Sequence, residues 1–223
     1  MNVRLGVSVE GQTEERFVKD LLAPHLLAFG VHATPVVVAT SRTASGRKAK
    51  GGGINLDRVA GELRRLLRGY PDGYVTSLYD FYGFADRRPD ETVEQLEARV
   101  AAVLGTPGNL IAYVQVYEFE GLLLSDAAIV AGYFEAPEME HAVRSAVVQA
   151  GSPENVNDNP STAPSKRLEA WSRQHGPPTK RYQQGTKTLH GPLLAARLTL
   201  PVIKNACPRF AAWLSRLEAL ARP

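Results

Sequence analysis

The sequence predicts an α/β fold in which a mainly parallel sheet carries helices on both faces. Short β-rich runs alternate with segments of helical periodicity over roughly the first 120 residues, in a chain of 223 residues. Beyond that point helical segments alternate with loops rich in Asn, Pro, Asp and Ser. We therefore expect an α/β core over residues 1–126, and a helical, loop-rich and basic extension over residues 127–223 that packs on it.

The first two strands are predicted from apolar and β-branched runs at residues 3–9 and 33–40. Between them, residues 14–28 are expected to form a helix with Thr13 as its N-cap, since a threonine hydroxyl accepts hydrogen bonds from first-turn N–H groups. Residues 41–53 are basic and glycine-rich, which predicts a loop.

Leu56, Val59, Leu63, Leu66 and Leu67 then recur at helical spacing. The next predicted elements are a third strand over residues 74–80, a helix over 90–104 and a fourth strand over 109–118.

In the extension, residues 127–150 are expected to be helical, 151–164 to be a connector followed by a short helix, and 175–188 to be an irregular basic loop. The last helix has an apolar stripe formed by Phe210, Trp213, Leu214, Leu217 and Leu220.

The composition excludes several classes of protein. Hydrophobic residues make up 44% and charged residues 22% of the chain, as in soluble globular proteins. No apolar stretch approaches the roughly 20 residues that a membrane-spanning helix needs, and the acidic residues after the first strand are not typical of a signal peptide. We therefore expect a cytoplasmic protein. The single cysteine, Cys207, excludes an internal disulfide and is expected to be a small buried residue.

The charge is distributed unevenly along the chain. Residues 71–142 contain thirteen acids and three arginines, whereas residues 164–209 contain nine basic residues and one acid. An acidic centre beside a basic arm suits a phosphate-bearing polymer, with cations between the acids and the phosphates. Ion pairing between the two parts of the chain is an equally good interpretation.

Carboxylates follow three of the four predicted strands. Glu10 comes directly after the first strand, Asp80 ends the third and Glu118 ends the fourth. Because the carboxyl ends of parallel strands face one crevice, we expect these side chains to lie close together. Glu14, one turn into the first helix, and Glu120, two residues beyond Glu118, are placed to join them. Carboxylate oxygens are the ligands that Mg²⁺ and Mn²⁺ prefer, so the sequence predicts a site for one of these ions.

Each acid also has a purely structural interpretation. Glutamates in the first turn of a helix complement its dipole, which applies to Glu14 and most strongly to Glu15. Asp80 is placed to cap the turn after its strand, and Glu118 or Glu120 to begin a helix. The convergence of several acids, rather than any one of them, favours a metal site.

A family resemblance rests on segments spread along nearly the whole chain: Val9-Glu10-Gly11-Gln12-Thr13-Glu14, Asp80-Phe81-Tyr82-Gly83, Tyr117-Glu118-Phe119-Glu120-Gly121-Leu122-Leu123, Ala163-Pro164-Ser165-Lys166-Arg167, His190-Gly191-Pro192 and Cys207-Pro208-Arg209-Phe210-Ala211-Ala212-Trp213-Leu214. They resemble the DUF4276 family, which is similar to the Toprim domains of the overcoming-lysogenization-defect (OLD) nucleases. The resemblance implies a Toprim/Rossmann-like sheet.

The resemblance also implies roles for particular residues. Toprim proteins place a glutamate after the first strand and an Asp-x-Asp motif after a later one, and use them to bind magnesium for strand cleavage or transfer. Glu10 and Asp80 match the glutamate and the first aspartate, and Glu14 matches a further acid of OLD-type enzymes. Tyr82 stands at the second aspartate, so that Glu118, Glu120 or Asp86 would have to compensate. OLD-type sites also use a late lysine, for which Lys187 is the candidate by position, with Lys180 next.

The basic residues expected to hold a nucleic-acid backbone are Arg42, Lys48, Lys50, Lys166, Arg167, Lys180 and Arg181. Tyr182, within the basic arm, is placed either to stack on a base or, as the more frequent case, to pack internally.

The leading hypothesis is a Mg²⁺- or Mn²⁺-dependent nuclease that acts on DNA or RNA. Because the sequence has no nucleotide-binding P-loop, and because proteins resembling this family often accompany an ABC/OLD-type ATPase in anti-phage defence, an ATPase partner chain is expected. One alternative is a regulatory or nucleic-acid-binding subunit whose Toprim-like site is degenerate, and another is a small-molecule phosphohydrolase. The sequence leaves the oligomeric state open, including a homo-oligomer.

Overall fold

The computed structural model describes residues 2–38, 54–157 and 161–221. Within these ranges, five strands form one parallel sheet in the order β2-β1-β3-β4, with β5 also paired to β3. The strands are β1 (Val3–Val9), β2 (Val31–Val37), β3 (Tyr74–Asp80), β4 (Leu110–Ile111) and β5 (Val114–Gln115). The prediction of a mainly parallel α/β sheet is confirmed. The basic loop predicted over 41–53 lies outside the described residues.

The helices are α1 (Gln12–Phe17), α2 (Ala23–Leu27), α3 (Leu56–Gly69), α4 (Val93–Val103), α5 (Ala127–Phe134), α6 (Glu138–Ala150), α7 (Pro164–His175), α8 (Lys187–Leu198), α9 (Leu200–Ala206) and α10 (Pro208–Glu218). A π-helical turn, Val18–Leu22, joins α1 to α2. Short 3₁₀ turns lie at Phe81–Gly83, Phe119–Leu124, Pro153–Asn155 and Pro178–Lys180. None of the helices in the described ranges has both the length and the apolar character needed to cross a membrane.

The predicted fourth strand is interrupted in the structure. Both β4 and β5 pair with β3, and the register is the same for the two strands: Thr76 lies opposite Ile111 and Tyr79 lies opposite Val114. In the gap, the buried Ser77 hydroxyl donates to Tyr113 O and accepts from Tyr113 N–H, each at 2.9 Å. A serine side chain thus replaces two backbone partners of the ladder. The expectation of one strand over residues 109–118 was wrong for this reason, and local β-propensity does not reveal it.

The N-cap prediction for the first helix was also wrong. The helix begins at Gln12, and Gly11 is the N-cap without a side-chain cap. Thr13 is instead buried against α8, where a Cβ at Gly191 would lie 2.9 Å from Thr13 Cγ2. The threonine side chain is therefore used in helix packing and is not free to cap.

The C-terminal half contains more helix than the sequence predicts. The segment 127–150 divides into α5 and α6, because Glu135 has a left-handed φ of 53° and Pro137, which has no N–H, follows two residues later. Helix α8 includes Pro192, which reads as a helix breaker in sequence. Pro192 cannot donate to the carbonyl of Thr188, and Arg16 Nη1 of α1 donates to that carbonyl at 3.1 Å instead. The side chain of Arg16 therefore supplies the hydrogen-bond donor that the Thr188 carbonyl lacks because residue 192 is a proline.

Two hydrophobic clusters cover the sheet. One joins Leu5 and Val9 of β1 to α1 and α2 and to the C-terminal helices as far as Leu217. The other packs α3 and α4 against β3 through residues such as Leu63 and Leu96. Helices thus lie on both faces, and the C-terminal helices share a core with the first strand. Cys207 is fully buried in the first cluster, as predicted, and burial raises the pKa of its thiol to about 12.

The Ser77 contact gives a stability prediction. Ser77→Ala should reduce the free energy of unfolding by about 1–3 kcal/mol, because it leaves buried backbone groups of Tyr113 without a partner. Urea denaturation followed by circular dichroism measures the change. Ser145→Ala, at an exposed position of α6, is the matched control and should stay within about 0.5 kcal/mol of wild type. Equal stability of the two variants would show that the serine does not hold the interrupted strand.

Candidate active site

Five carboxylates and one lysine meet beyond the carboxyl ends of the strands. Glu10 directly follows β1, Asp80 is the last residue of β3, Glu14 lies in α1, and Glu118 and Glu120 begin the 3₁₀ turn after β5. We call these five residues the acidic cluster. Lys187, the first residue of α8, lies among them: the charges of Glu120, Glu14, Asp80 and Glu118 all act on its ammonium group.

Glu10 has the most exceptional environment in the cluster. Among the described residues, its Oε2 atom is buried and has no hydrogen-bond partner. Burial raises the pKa of Glu10, and the charges of Glu120 and Glu118 add to this, while the backbone of Asp80 and the charge of Lys187 act in the opposite direction. A buried carboxylate oxygen without a donor is unfavourable unless a proton or a cation reaches it.

Gly83 leaves the space that Glu10 occupies. A Cβ at position 83 would overlap the Glu10 carboxylate. The glycine of the Asp-Phe-Tyr-Gly segment is therefore required by close approach to the cluster. It connects the turn after β3 with the acid after β1.

Asp80 links the ends of two strands. Its Oδ1 atom accepts a hydrogen bond of 2.7 Å from the N–H of Phe119, at the start of the 3₁₀ turn that carries Glu120. Burial raises the pKa of Asp80 well above its usual value, and the charges of Glu14 and Glu10 raise it further. The carboxylate thus fixes the position of the neighbouring acids and at the same time is repelled by them.

Glu118 and Glu120 connect the cluster to the C-terminal half. Glu118 Oε2 accepts from the N–H of Ser165, in the first turn of α7, at 3.0 Å. Glu120 is buried, and its Oε1 atom accepts from the Tyr182 hydroxyl at 2.8 Å. Burial raises the pKa of Glu120 to about 6, and the Tyr182 hydrogen bond lowers it only in part.

Glu14 and Lys187 form the side of the cluster made by helices. Burial raises the pKa of Glu14, and the charge of Glu10 adds to this, while Lys187 lowers it. Burial alone would lower the pKa of Lys187, but the charges of Glu120 and Glu14, among other acids, raise it above its usual value. The lysine is therefore held protonated by the acids, and it offsets part of their repulsion.

The donor set suits a hard divalent cation. All five acids offer carboxylate oxygens, which Mg²⁺ and Mn²⁺ prefer, and Glu10 Oε2 is a buried oxygen without a hydrogen-bond donor in the described structure. However, no three Asp, Glu, His or Cys side chains in the described ranges are already placed to share one metal ion. Side-chain rotation would be needed to bring the oxygens into a ligand set.

Other sequence-based candidates lie outside the cluster. Both carboxylate oxygens of Asp86 accept from the N–H of Leu56 at the start of α3, so Asp86 does not supply the missing second acid. The Tyr82 hydroxyl accepts from Asn157 Nδ2. Glu15 pairs with Lys19 at 2.6 Å on the outer side of α1, which agrees with a structural role.

The basic residues are dispersed. Lys166 pairs with Glu169 at 3.4 Å, and Arg167 Nε donates to Thr162 O, both in or beside the first turns of α7. Lys180 lies over the Tyr133 ring, and Arg181 is exposed next to Tyr182. Arg42, Lys48 and Lys50 lie outside the described residues.

Sequence reasoning missed two parts of this region. Tyr182 is buried, as expected for a packing tyrosine, but its hydrogen bond to Glu120 was not predicted, because 62 residues separate the two positions. A surface cleft whose walls include Tyr82, Arg87 and Tyr117 was also missed. Its only signal in the sequence is the concentration of aromatic residues directly beside Asp80 and Glu118.

The chain is thus an α/β protein with a parallel sheet. Five carboxylates and one lysine lie together at the carboxyl ends of its strands and form an acidic crevice. The family model described as "Domain of unknown function (DUF4276)" matches residues 9–218, and the chain belongs to this family. No curated protein and no solved structure matches the chain. The predicted family membership is thus confirmed, whereas the similarity to the Toprim domains of OLD nucleases stays a prediction.

The raised pKa of Glu120 predicts how stability depends on pH in the presence of a chelator. The folded state holds this proton up to about pH 6, while an unfolded glutamic acid releases it near about pH 4.3. The protonated form therefore favours folding at low pH, and this contribution, on the order of 2 kcal/mol, is lost as the pH rises through that window. In urea denaturation with EDTA, Glu120→Gln should lose less stability than wild type over that range.

The matched control for this experiment is Glu138→Gln, an exposed glutamate of α6. Because Glu138 lies outside the acidic cluster, this variant leaves the proton of Glu120 in place and should show the wild-type curve of stability against pH. If the free energy of unfolding changes with pH in the same way for wild type and Glu120→Gln, Glu120 is not kept protonated by burial.

Proposed function

We propose that the chain is a Mg²⁺- or Mn²⁺-dependent nuclease that cleaves phosphodiester bonds of DNA or RNA through a Toprim-like site. The observation that supports this most directly is the buried Glu10 Oε2 atom, which has no hydrogen-bond partner among the described residues and lies within a cluster of five carboxylates at the strand ends. Neutral or apolar ligands would leave the mutual repulsion of these acids unchanged. A divalent cation relieves it and also attracts a phosphate group.

In this proposal Glu10, Asp80 and Glu118 hold the cation, with Glu14 and Glu120 in reach after side-chain rotation. The bound cation would lower the pKa of a water molecule and neutralise charge on the phosphate. Lys187, held protonated by the acids, offers a second positive charge for a phosphate oxygen. Until Glu120 rotates toward the cation, the Tyr182 hydroxyl holds its carboxylate and burial raises its pKa to about 6, so in that position Glu120 is suited to exchange a proton near neutral pH rather than to act as a ligand.

The proposal includes contacts outside the cluster. Lys166 and Arg167 lie in the first turn of α7, directly after the residue that binds Glu118, and Arg181 precedes Tyr182. These positions place basic side chains on segments that also contact the acids. The resemblance to OLD-type proteins adds an ABC/OLD-type ATPase as partner and anti-phage defence as the biological setting.

A second candidate function is a regulatory or nucleic-acid-binding subunit with a degenerate site. Tyr82 replaces the second aspartate of the Toprim motif, and its hydroxyl is engaged by Asn157. The absence of a ready three-residue ligand set in the described ranges favours the same alternative. The two candidates differ in whether the acidic cluster binds a cation and whether cleavage occurs.

Cation binding is tested by thermal denaturation. Mg²⁺ or Mn²⁺ should raise the Tm of wild type by several degrees, because a ligand that binds only the folded state adds about 2.7 kcal/mol at 100 times its Kd. Glu10→Gln should reduce this rise strongly. Glu15→Gln, which changes a glutamate of the same helix region outside the cluster, should keep it. If the cation stabilises wild type and Glu10→Gln equally, Glu10 is not a ligand.

Cleavage is tested with labelled DNA and RNA, with and without the ATPase partner. Asp80→Asn should reduce the metal-dependent rate by several orders of magnitude, since a neutral amide supports neither cation binding nor water activation as well as a carboxylate does. Asp86→Asn, at the cap of α3, should cleave at the wild-type rate. If wild type never cleaves with either metal, or Asp80→Asn cleaves normally, the regulatory subunit becomes the better assignment.

A further inference from the structure

A polar cleft is lined by residues that are neighbours of the acidic cluster along the chain. It has a volume of about 500 Å³, and its walls include Phe81, Tyr82 and Tyr117 together with Arg87 and Arg88. Phe81 and Tyr82 directly follow Asp80, and Tyr117 directly precedes Glu118. The peptide chain therefore places the cleft within one or two residues of two carboxylates of the cluster.

The cleft combines aromatic rings with positive charge. The rings of Tyr82 and Tyr117 lie 5.4 Å apart at an angle of 44°, and both residues are partly exposed. The Arg87 guanidinium lies 4.5 Å from the centre of the Phe81 ring and 5.4 Å from that of Tyr82. Arg88 is exposed at the same wall. Aromatic faces and arginine planes are the surfaces on which unpaired bases stack.

Two acids, Asp90 and Glu91, also line the cleft, but they do not fully neutralise the positive charge of Arg87 and Arg88. Glu91 is buried and accepts from Arg99 at 2.9 Å and from the N–H of Arg88, so its charge is already compensated. Asp90 is exposed, and solvent screens it. Within the part of the chain that the structure describes, neither Arg87 nor Arg88 forms an ion pair, so both side chains are available to an anionic ligand.

Tyr117 is held in a strained conformation. Its φ is 60°, in the left-handed region that a bulky side chain rarely adopts. Its carbonyl accepts from the N–H of Tyr82 at 3.1 Å, which ties the two turns together. The strained turn directs the Tyr117 ring to the cleft while the next residue, Glu118, enters the acidic cluster. Such strain is concentrated at functional sites.

We propose that this cleft binds an unpaired nucleotide of a nucleic-acid strand, next to the phosphodiester at the acidic cluster. Its base stacks on the Tyr82 and Tyr117 rings, and its phosphate pairs with Arg87 and Arg88. The proposal rests on the proposed nuclease function and narrows its substrate to single-stranded nucleic acid. In a duplex, neighbouring base pairs cover both faces of each base, so the aromatic wall cannot be used. The chemistry is shared by DNA and RNA.

Fluorescence anisotropy with labelled oligonucleotides tests the proposal. Single-stranded DNA, single-stranded RNA and a duplex of the same sequence are compared, in EDTA and separately in Ca²⁺, which also binds carboxylate oxygens. Wild type should bind at least one single strand more tightly than the duplex, and the preferred strand tells DNA from RNA. Equal affinity for single strand and duplex, or no binding of either strand, would overturn the proposal.

Two variants test the cleft itself. The double variant Arg87→Ala/Arg88→Ala should weaken single-strand binding by about tenfold or more. Its matched control is Arg68→Ala/Arg144→Ala, which removes the same charge from exposed positions of α3 and α6.

The second variant, Tyr117→Asn, should weaken single-strand binding similarly, because asparagine tolerates the left-handed conformation but has no ring. Its control, Tyr117→Phe, keeps the ring and should bind as wild type does. Unchanged affinity in both cleft variants, with normal melting curves, would refute the site.

The outcomes separate this inference from the nuclease proposal. If the cleft variants lose binding but wild type cleaves nothing, the cleft stands and the nuclease function fails. If wild type cleaves DNA or RNA and the cleft variants bind and cleave equally well, the nuclease function stands and the cleft inference fails.

Discussion

The repulsion among five carboxylates at the ends of the parallel strands is the constraint on which the rest of the structure depends. Three of the five acids accept a hydrogen bond from a different segment: Asp80 from the N–H of Phe119, Glu118 from that of Ser165 and Glu120 from the Tyr182 hydroxyl. Lys187 adds a positive charge that offsets part of this repulsion. The C-terminal half is therefore part of the site, since it supplies the Ser165 and Tyr182 donors and the Lys187 ammonium group.

The sheet and the position of the acids could be predicted from the sequence because both depend on local patterns. Residues 3–9 and 74–80 read as strands, and the carboxyl ends of parallel strands must share one edge. The resemblance to a known family, rather than any pattern, indicated Lys187. By contrast, the interruption at Tyr113 depends on the side chain of Ser77, which is 36 residues away. Helix α8 depends on Arg16, which is 172 residues from Thr188. Contacts between such distant segments leave no periodic signal.

The acidic cluster and the neighbouring cleft differ in how they are constrained. The cluster is crowded with like charges, and no three of its acids in the described ranges are placed to share one metal ion. The cleft is fixed by backbone geometry, through the positive φ of Tyr117 and its hydrogen bond to Tyr82. Because the cleft and the acidic cluster are held by different contacts, mutation can alter one without the other, so the two proposals can be tested separately.

The shared core of the first strand and the last helices has a consequence for biosynthesis. Leu5 and Val9 are covered partly by helices that extend to Leu217, so the ribosome must release the chain as far as these helices before that face of β1 is buried. Lys187 also emerges long after Glu10, Glu14 and Asp80. A nascent chain therefore exposes apolar surface and carries acids without their counter-charge until α8 and the helices after it have been synthesised. Translation arrested before α8 would yield a polypeptide that quality-control proteases can recognise, rather than a smaller version of the protein.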